Sequence, residues 1–271
     1  MKTLAVVTAC LMIGASLSCG SAHAGAWPQD PDRWLVVNQF TYQNGPSNGY
    51  NDQGRPQGHG RLQQFTFSPY IEYGVTEDWT LGAQPMIQFA NLSVPAGQRG
   101  GGTNTGLTEV NLFARYTVYR WDFDVLSVQG MLGVPGFSGG VQPQVANPWP
   151  EYEARLLYGH AFELSDSIAG FFDTEIAYRL EGGHNADQIH SDTVVGIRPG
   201  DDWIFMLQFN ATLGLGNNTG TGGDYDQYRL QASIGTRVAD DTWLVLGAFH
   251  DLGGHNVTLG NGATLSIWTR F

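Results

Sequence analysis

Arginines and carboxylates recur along this sequence at spacings of two and multiples of two. Glu153 and Arg155 are one such set, and Asp173, Glu175 and Arg179 another. Glu109 and Arg115 share a parity over a longer gap, as do Arg229 and Arg237. In an extended chain, residues two apart point to the same side. Two kinds of chemistry are open to such a face. Guanidinium groups pair bidentately with carboxylates and can tie neighbouring strands together. Charged groups around a common interior can instead line a conducting path and set its selectivity.

Catalysis would need a nucleophile beside a base that is itself oriented. The histidines are His23, His59, His160, His184, His190, His250 and His255. His190 shares a face with Asp192, but Ser191 points the opposite way. Asp251 follows His250 and lies on the other face. Gly136-Phe137-Ser138-Gly139-Gly140 has the Gly-x-Ser-x-Gly form, yet it stands in a Gly- and Pro-rich stretch with no helical pattern after it. The strand–turn–helix setting of a nucleophile elbow is therefore missing. Asp224-Tyr225-Asp226 offers fewer oxygen ligands than calcium takes. No catalytic residue, metal site or cofactor is expected.

The elements that must position the charged face are strands. Extended segments alternate with breaks at 34–43, 62–74, 79–91, 107–119, 122–134, 149–162, 167–180, 188–198, 202–215, 226–238, 242–252 and 262–271. Each is long enough for a tilted strand to cross a bilayer, which takes about 9–11 residues. The breaks alternate between two classes. Val75–Asp78, Arg120-Trp121, Glu163–Asp166, Pro199–Asp201 and Ala239–Asp241 are short. Those centred on 44–61, 92–106, 135–148, 181–187, 216–225 and 253–261 are longer and rich in Gly, Asn and Pro. Short turns on one rim and long loops on the other are the pattern of an outer-membrane β-barrel, and an even strand count returns both termini to the short-turn rim. The last strand ends on Phe271 with an edge to be covered, and the first strand is the candidate to cover it. The expected fold is all-β: one antiparallel transmembrane barrel of about twelve strands.

The bulk properties agree. Met1-Lys2, an apolar run from Leu4 to Leu17 and the Ala22-His23-Ala24 end predict a secretory signal peptide over 1–24, with the barrel over 25–271. Cys10 and Cys19 leave with it. Lys2 is the only lysine, so 12 arginines then face 25 acidic residues, a formal net charge of −13. That disfavours nucleic acid and anionic surfaces as partners. Outer-membrane lipids, the barrel assembly machinery and a small-molecule solute are the partners expected, in the outer membrane of a Gram-negative bacterium.

The strand phases place polar residues inside and apolar ones against lipid. In 226–238, Tyr228, Leu230, Ala232 and Ile234 oppose Gln227, Arg229, Gln231 and Ser233. The lumen then receives Glu72, Glu109, Arg115, Glu153, Arg155, Asp173, Glu175, Arg179, Asp192, Arg198, Arg229, Arg237 and Arg270, while Asp251 is the exception near a rim on the lipid side. Trp34, Trp79, Trp121, Trp203, Trp243 and Trp268 are expected to form one aromatic girdle. Tyr42, Phe89, Tyr152, Tyr178, Tyr228 and Phe249 are expected to form the other. About eight strands leave a filled interior and about sixteen a water channel, so twelve predict a narrow passage. Gly25–Arg33 is too short to be a plug domain, and the loops 44–60 and 135–150 are expected to be solvated.

Thr105–Tyr116 reads Thr-Gly-Leu-Thr-Glu-Val-Asn-Leu-Phe-Ala-Arg-Tyr, with Gly133-Val134-Pro135-Gly136 following as a Pro-Gly turn after the next strand. These stretches resemble outer-membrane barrels described as meta-pathway phenol-degradation proteins or outer-membrane transporters. The turns Thr76-Glu77-Asp78-Trp79 and Asp240-Asp241-Thr242-Trp243 fit the same style. The resemblance implies a barrel of roughly twelve strands and inward passage of small hydrophobic or aromatic compounds; with no plug-sized domain or nucleotide motif in the sequence, that passage is expected to be passive. It implies no catalytic residues.

Overall fold

A computed structural model describes residues 25–46, 60–94, 101–139, 143–219 and 223–271. Its strands are β1 (Trp34–Pro46), β2 (Arg61–Gly74), β3 (Trp79–Ser93), β4 (Gly102–Trp121), β5 (Asp124–Ser138), β6 (Glu151–Ser165), β7 (Ile168–Glu181), β8 (Gln188–Pro199), β9 (Trp203–Gly214), β10 (Asp226–Ala239), β11 (Thr242–His255) and β12 (Asn261–Arg270). Each pairs antiparallel with its sequence neighbours. β12 pairs with β1 from Leu35↔Arg270 to Asn44↔Asn261, which closes the barrel. Trp34 and Phe271 exchange backbone hydrogen bonds of 3.2 and 3.1 Å at the seam. Closure satisfies the strand edges that would otherwise remain open.

Turns of two to four residues join β2–β3, β4–β5, β6–β7, β8–β9 and β10–β11 on one rim, where β1 also begins and β12 ends. The β4–β5 turn falls at Asp122-Phe123 instead of Arg120-Trp121, because a register shift between Thr117 and Tyr119 carries β4 onward. A second irregularity lies in the stretch that carries the family resemblance. Pro135 and Gly136 do not turn; β5 continues through them to Ser138. Thr108 has no partner in either ladder, and a β-carbon on Gly136 would meet the Thr108 carbonyl oxygen at 2.3 Å. Glycine lets the strand pass this bulge.

The outer surface is apolar, with Phe40, Phe65, Leu112, Leu156, Ile176, Leu207 and Leu246 exposed around the wall. Trp34, Trp79, Trp121 and Trp203 project outward at the short-turn rim, and Phe89, Tyr152 and Tyr178 toward the other. Three expected girdle residues do not join them. Trp243, Trp268 and Phe249 point inward, because Trp268 shares its side of β12 with Thr264 and Ser266, and Trp243 and Phe249 share theirs of β11 with Val245. Asp251 follows the same parity. It faces the lumen and is 2% exposed, not set against lipid.

The interior at the short-turn end holds an apolar cluster beside buried polar groups. Leu35, Val37, Tyr70, Phe113, Phe171, Ile204, Val245 and Trp268, from strands on every side of the barrel, pack into one buried cluster with Trp27 against it. Trp27 belongs to the leader Gly25–Arg33, which turns up into the lumen. The Ala26 amide donates to Asp173 at 2.7 Å, and the Ser127 hydroxyl donates to the Ala26 carbonyl at 2.6 Å. The Gln29 amide donates to Thr80 Oγ1 at 3.0 Å and its side chain to Glu72 at 2.6 Å. The Gly25 carbonyl accepts from Arg115. Short as it is, the leader completes a floor across the barrel by packing Trp27 against the cluster.

Candidate functional site

Above this floor the lumen has two unlike walls. β2, β4, β6, β7 and β8 carry the ionised groups. Arg155 stands opposite Ala177, whose small side chain leaves space across β7. Its guanidinium reaches Glu153 at 2.8 Å, Asp192 at 2.9 Å and Glu175. Arg179 binds Glu153 at 2.8 Å and Glu151 at 3.0 Å. Deeper, Arg115 pairs with Glu72, beside the Tyr70 hydroxyl. Glu109 accepts from the Asn111 amide at 3.0 Å. Such buried networks are costly to break, though seldom better than apolar packing of the same volume.

The opposite wall, β9 to β12 with β1, is built from amides and hydroxyls. It holds the ion pair Arg229–Asp251 at 2.7 Å, with the guanidinium 4.0 Å above the Phe249 ring. Arg198, Arg237 and Arg270 sit low, near the short-turn rim. Arg198 and Arg237 flank the Trp243 ring at 5.6 and 5.8 Å, and Arg237 is 3.4 Å from Asp202. Arg270 lies across from Leu35 at the seam. Thus Glu72, Glu109, Arg115, Glu153, Arg155, Asp173, Glu175, Arg179 and Asp192 gather on one wall, Arg229 faces them, and the last three arginines stand apart.

Among the described residues, the cavities between the walls include two larger ones. One, of about 150 Å³, is bordered by Asn111, Gln129, Glu153, Arg155, Arg179 and Asp192, with Tyr70 and Phe113 below. The other, of about 230 Å³, is bordered by Gln39, Gln227, Gln231, Thr212 and Thr264 under Arg229. Gln208 and Asn210 border both.

At the long-loop rim, Asp187 organises two connections. It accepts from the Asn217 amide at 2.7 Å, Tyr178 at 2.9 Å and the Glu181 backbone at 3.1 Å. The Asn217 hydrogen bond, first among these, holds its carboxyl below the usual carboxylate range. Residues 47–59 of the first long loop lie outside the described residues. Within 143–150 the chain folds inward: Val145 is buried, and Asn147 bonds the bulge carbonyl of Thr108 at 3.2 Å and the Glu151 carboxyl. That loop was expected in solvent; its bonds to the bulge draw it into the mouth. Asp224 and Asp226 accept the Gly216 and Gly214 amides at 3.2 and 3.0 Å, so they brace the β9–β10 connection. His190 bonds Gln188 at 2.7 Å and sits 3.6 Å from Glu153, joining the charged wall.

Sequence reasoning places the amides on polar faces in part, but not among the expected lumen residues. Asn111, Gln227 and Gln231 share the parity of charged residues on their strands, which was the available signal, and with Gln39, Gln84, Gln129, Gln208 and Asn210 the amides border the cavities at more positions than the charges do.

No family model and no curated protein sequence matches the chain. Among solved structures it is similar to an outer membrane channel from Pseudomonas putida F1, at 12% identity and a TM-score of 0.69, over 93% of this chain and 100% of that one. It is also similar to the beta domain of the Bordetella autotransporter BrkA, at 12% identity and a TM-score of 0.51, over 89% and 100% of the two chains. The transport unit of the autotransporter AIDA-I from Escherichia coli matches at 11% identity and a TM-score of 0.50, over 93% of each. The likeness is one of architecture: the chain has the fold of closed antiparallel outer-membrane barrels.

Proposed function

We propose that the chain is a bacterial outer-membrane channel for passive passage of small molecules, shut in this conformation at its short-turn end. The observation that carries the reading is the lumen itself. A polar wall encloses cavities and stops at a floor whose Trp27 belongs to a segment outside the strands. A segment held by a few hydrogen bonds can leave without opening the sheet. The proposal includes removal of residues 1–24 as a secretory signal and insertion by the barrel assembly machinery. It assigns no catalytic step. Membership in the phenol-degradation group, and with it an aromatic solute, rests on Thr105–Tyr116 and Gly133–Gly136; within the lumen the first stretch supplies Glu109, Asn111 and Arg115, which favour a polar solute.

The floor also favours a second reading, a non-conducting structural barrel. Planar-bilayer recording separates the two. Refolded 25–271 is expected to show small, brief openings, and the same chain lacking residues 25–29 a markedly larger conductance. Silence from both proteins, with folding verified by heat-modifiable electrophoretic mobility, would leave the structural barrel.

A further inference from the structure

The geometry points to a binding site in the lumen for a small uncharged solute carrying several hydroxyl groups, of the polyol or monosaccharide class. The inference rests on the channel reading above and names what the channel takes. The two cavities meet at Gln208 and Asn210, above the floor and on the long-loop side of it.

Three features define the ligand. First, the lining is charge-balanced. Glu153 and Asp192 border the smaller cavity with Arg155 and Arg179, and the four are bonded within the network already described. Arg229, the charged residue bordering the larger cavity, is held by Asp251. An anionic solute therefore meets only guanidiniums already held by carboxylates and would give up its hydration without return. Second, two acceptors have no hydrogen-bond partner among the described residues. Asn111 and Gln129 are each 6% exposed, and their side-chain oxygens, Oδ1 and Oε1, are buried without a hydrogen bond. The Asn111 orientation follows from chemistry: its nitrogen faces the Glu109 carboxylate at 3.0 Å, so its oxygen is the end turned away. An unpaired buried oxygen of this kind gains an O–H donor from a solute once its side chain turns toward the cavity. Third, the rest of the border is amide and hydroxyl, from Gln39, Thr41, Gln227 and Gln231, which both donate and accept as a ring of hydroxyls does. An apolar solute would leave these groups unsatisfied. The Tyr70 and Phe113 rings, stacked at 5.4 Å, add apolar surface for the C–H face of such a molecule. The volumes, about 150 and 230 Å³, are below the range of drug-sized sites and suit one small molecule.

The test is calorimetric titration of the refolded 25–271 chain in nanodiscs with D-glucose, glycerol, gluconate, glucosamine and benzyl alcohol, beside bilayer recording of the same preparation. Saturable binding of glucose or glycerol is expected, ahead of the other three. Asn111→Leu and Gln129→Leu should each weaken it about tenfold, the scale of one lost hydrogen bond. If either leucine variant fails to fold, Gln129→Glu, which keeps the size and adds charge, replaces it and should likewise weaken glucose while admitting glucosamine. Absence of saturable glucose or glycerol binding by protein that conducts would overturn the site and leave the channel. Binding without conductance would keep the site and sink the channel reading. Tighter binding of gluconate, glucosamine or benzyl alcohol, or binding unmoved by the substitutions, would overturn the ligand class.

Discussion

The Trp27 indole fills the place of a side chain that Gly159 lacks: a β-carbon on Gly159 would stand 2.5 Å from Trp27 Cη2. Gly196 gives way to Phe171, and Gly82 to Phe113, in the same manner, at 2.0 and 2.1 Å to the nearest ring atoms. The floor is thus built from rings seated over glycines of the wall, and Trp27 meets Phe171 edge-on at 6.5 Å.

Gly159→Val is expected to evict Trp27 while leaving the leader sequence intact. Overpacking costs about 1–3 kcal/mol where nothing yields, and a leader with an exit is the part that yields. Bilayer conductance should rise toward that of the chain lacking 25–29, with the barrel still closed by circular dichroism. Unchanged conductance would show that the block lies elsewhere.

Arg155 binds three carboxylates with its side chain 12% exposed. Arg155→Leu leaves them facing one another and should cost about 3–5 kcal/mol in reversible urea unfolding from micelles. Adding Glu175→Gln should recover part of the loss. A single variant as stable as the parent would mean that the network carries no net charge repulsion.

Arg229 and Arg237 should behave differently despite their shared strand and parity. Arg229 borders the larger cavity, so Arg229→Gln is expected to move the reversal potential toward cations and Asp251→Asn toward anions. Arg237 lies at the exposed rim against Asp202, and Arg237→Gln should leave selectivity unchanged. Equal effects at both positions would contradict the placement of the path.

Asp187 makes the long-loop rim sensitive to acid. Its carboxyl is depressed below the ordinary Asp value of about 3.9. Its contribution is therefore complete above that value and is lost as pH falls through the lower folded value. Amide exchange at Glu181, which donates to Asp187 at 3.1 Å, should accelerate on acidification relative to the strand amides. Asp187→Asn should exchange fast at every pH; a variant that keeps the pH dependence would assign it to another group.

The alternation of side chains and the chemistry of the turns are local properties, so the strands, their rims and the inward set Glu109, Arg115, Glu153, Arg155, Asp173, Glu175 and Arg179 were legible in the sequence. Which of these touch was not, because register and closure bring Asp192 of β8 to Arg155 of β6 across an intervening strand. Hydropathy was silent on the floor for a related reason. Val36 and Val37 read alike, yet one faces outward and the other is 1% exposed inside, and a buried interior and a bilayer are equally apolar surroundings. The destination of the leader and the inward turn of Trp243, Phe249 and Asp251 were likewise decided in three dimensions, by the space that Gly159 and its counterparts leave and by the parity that closure imposes on β11.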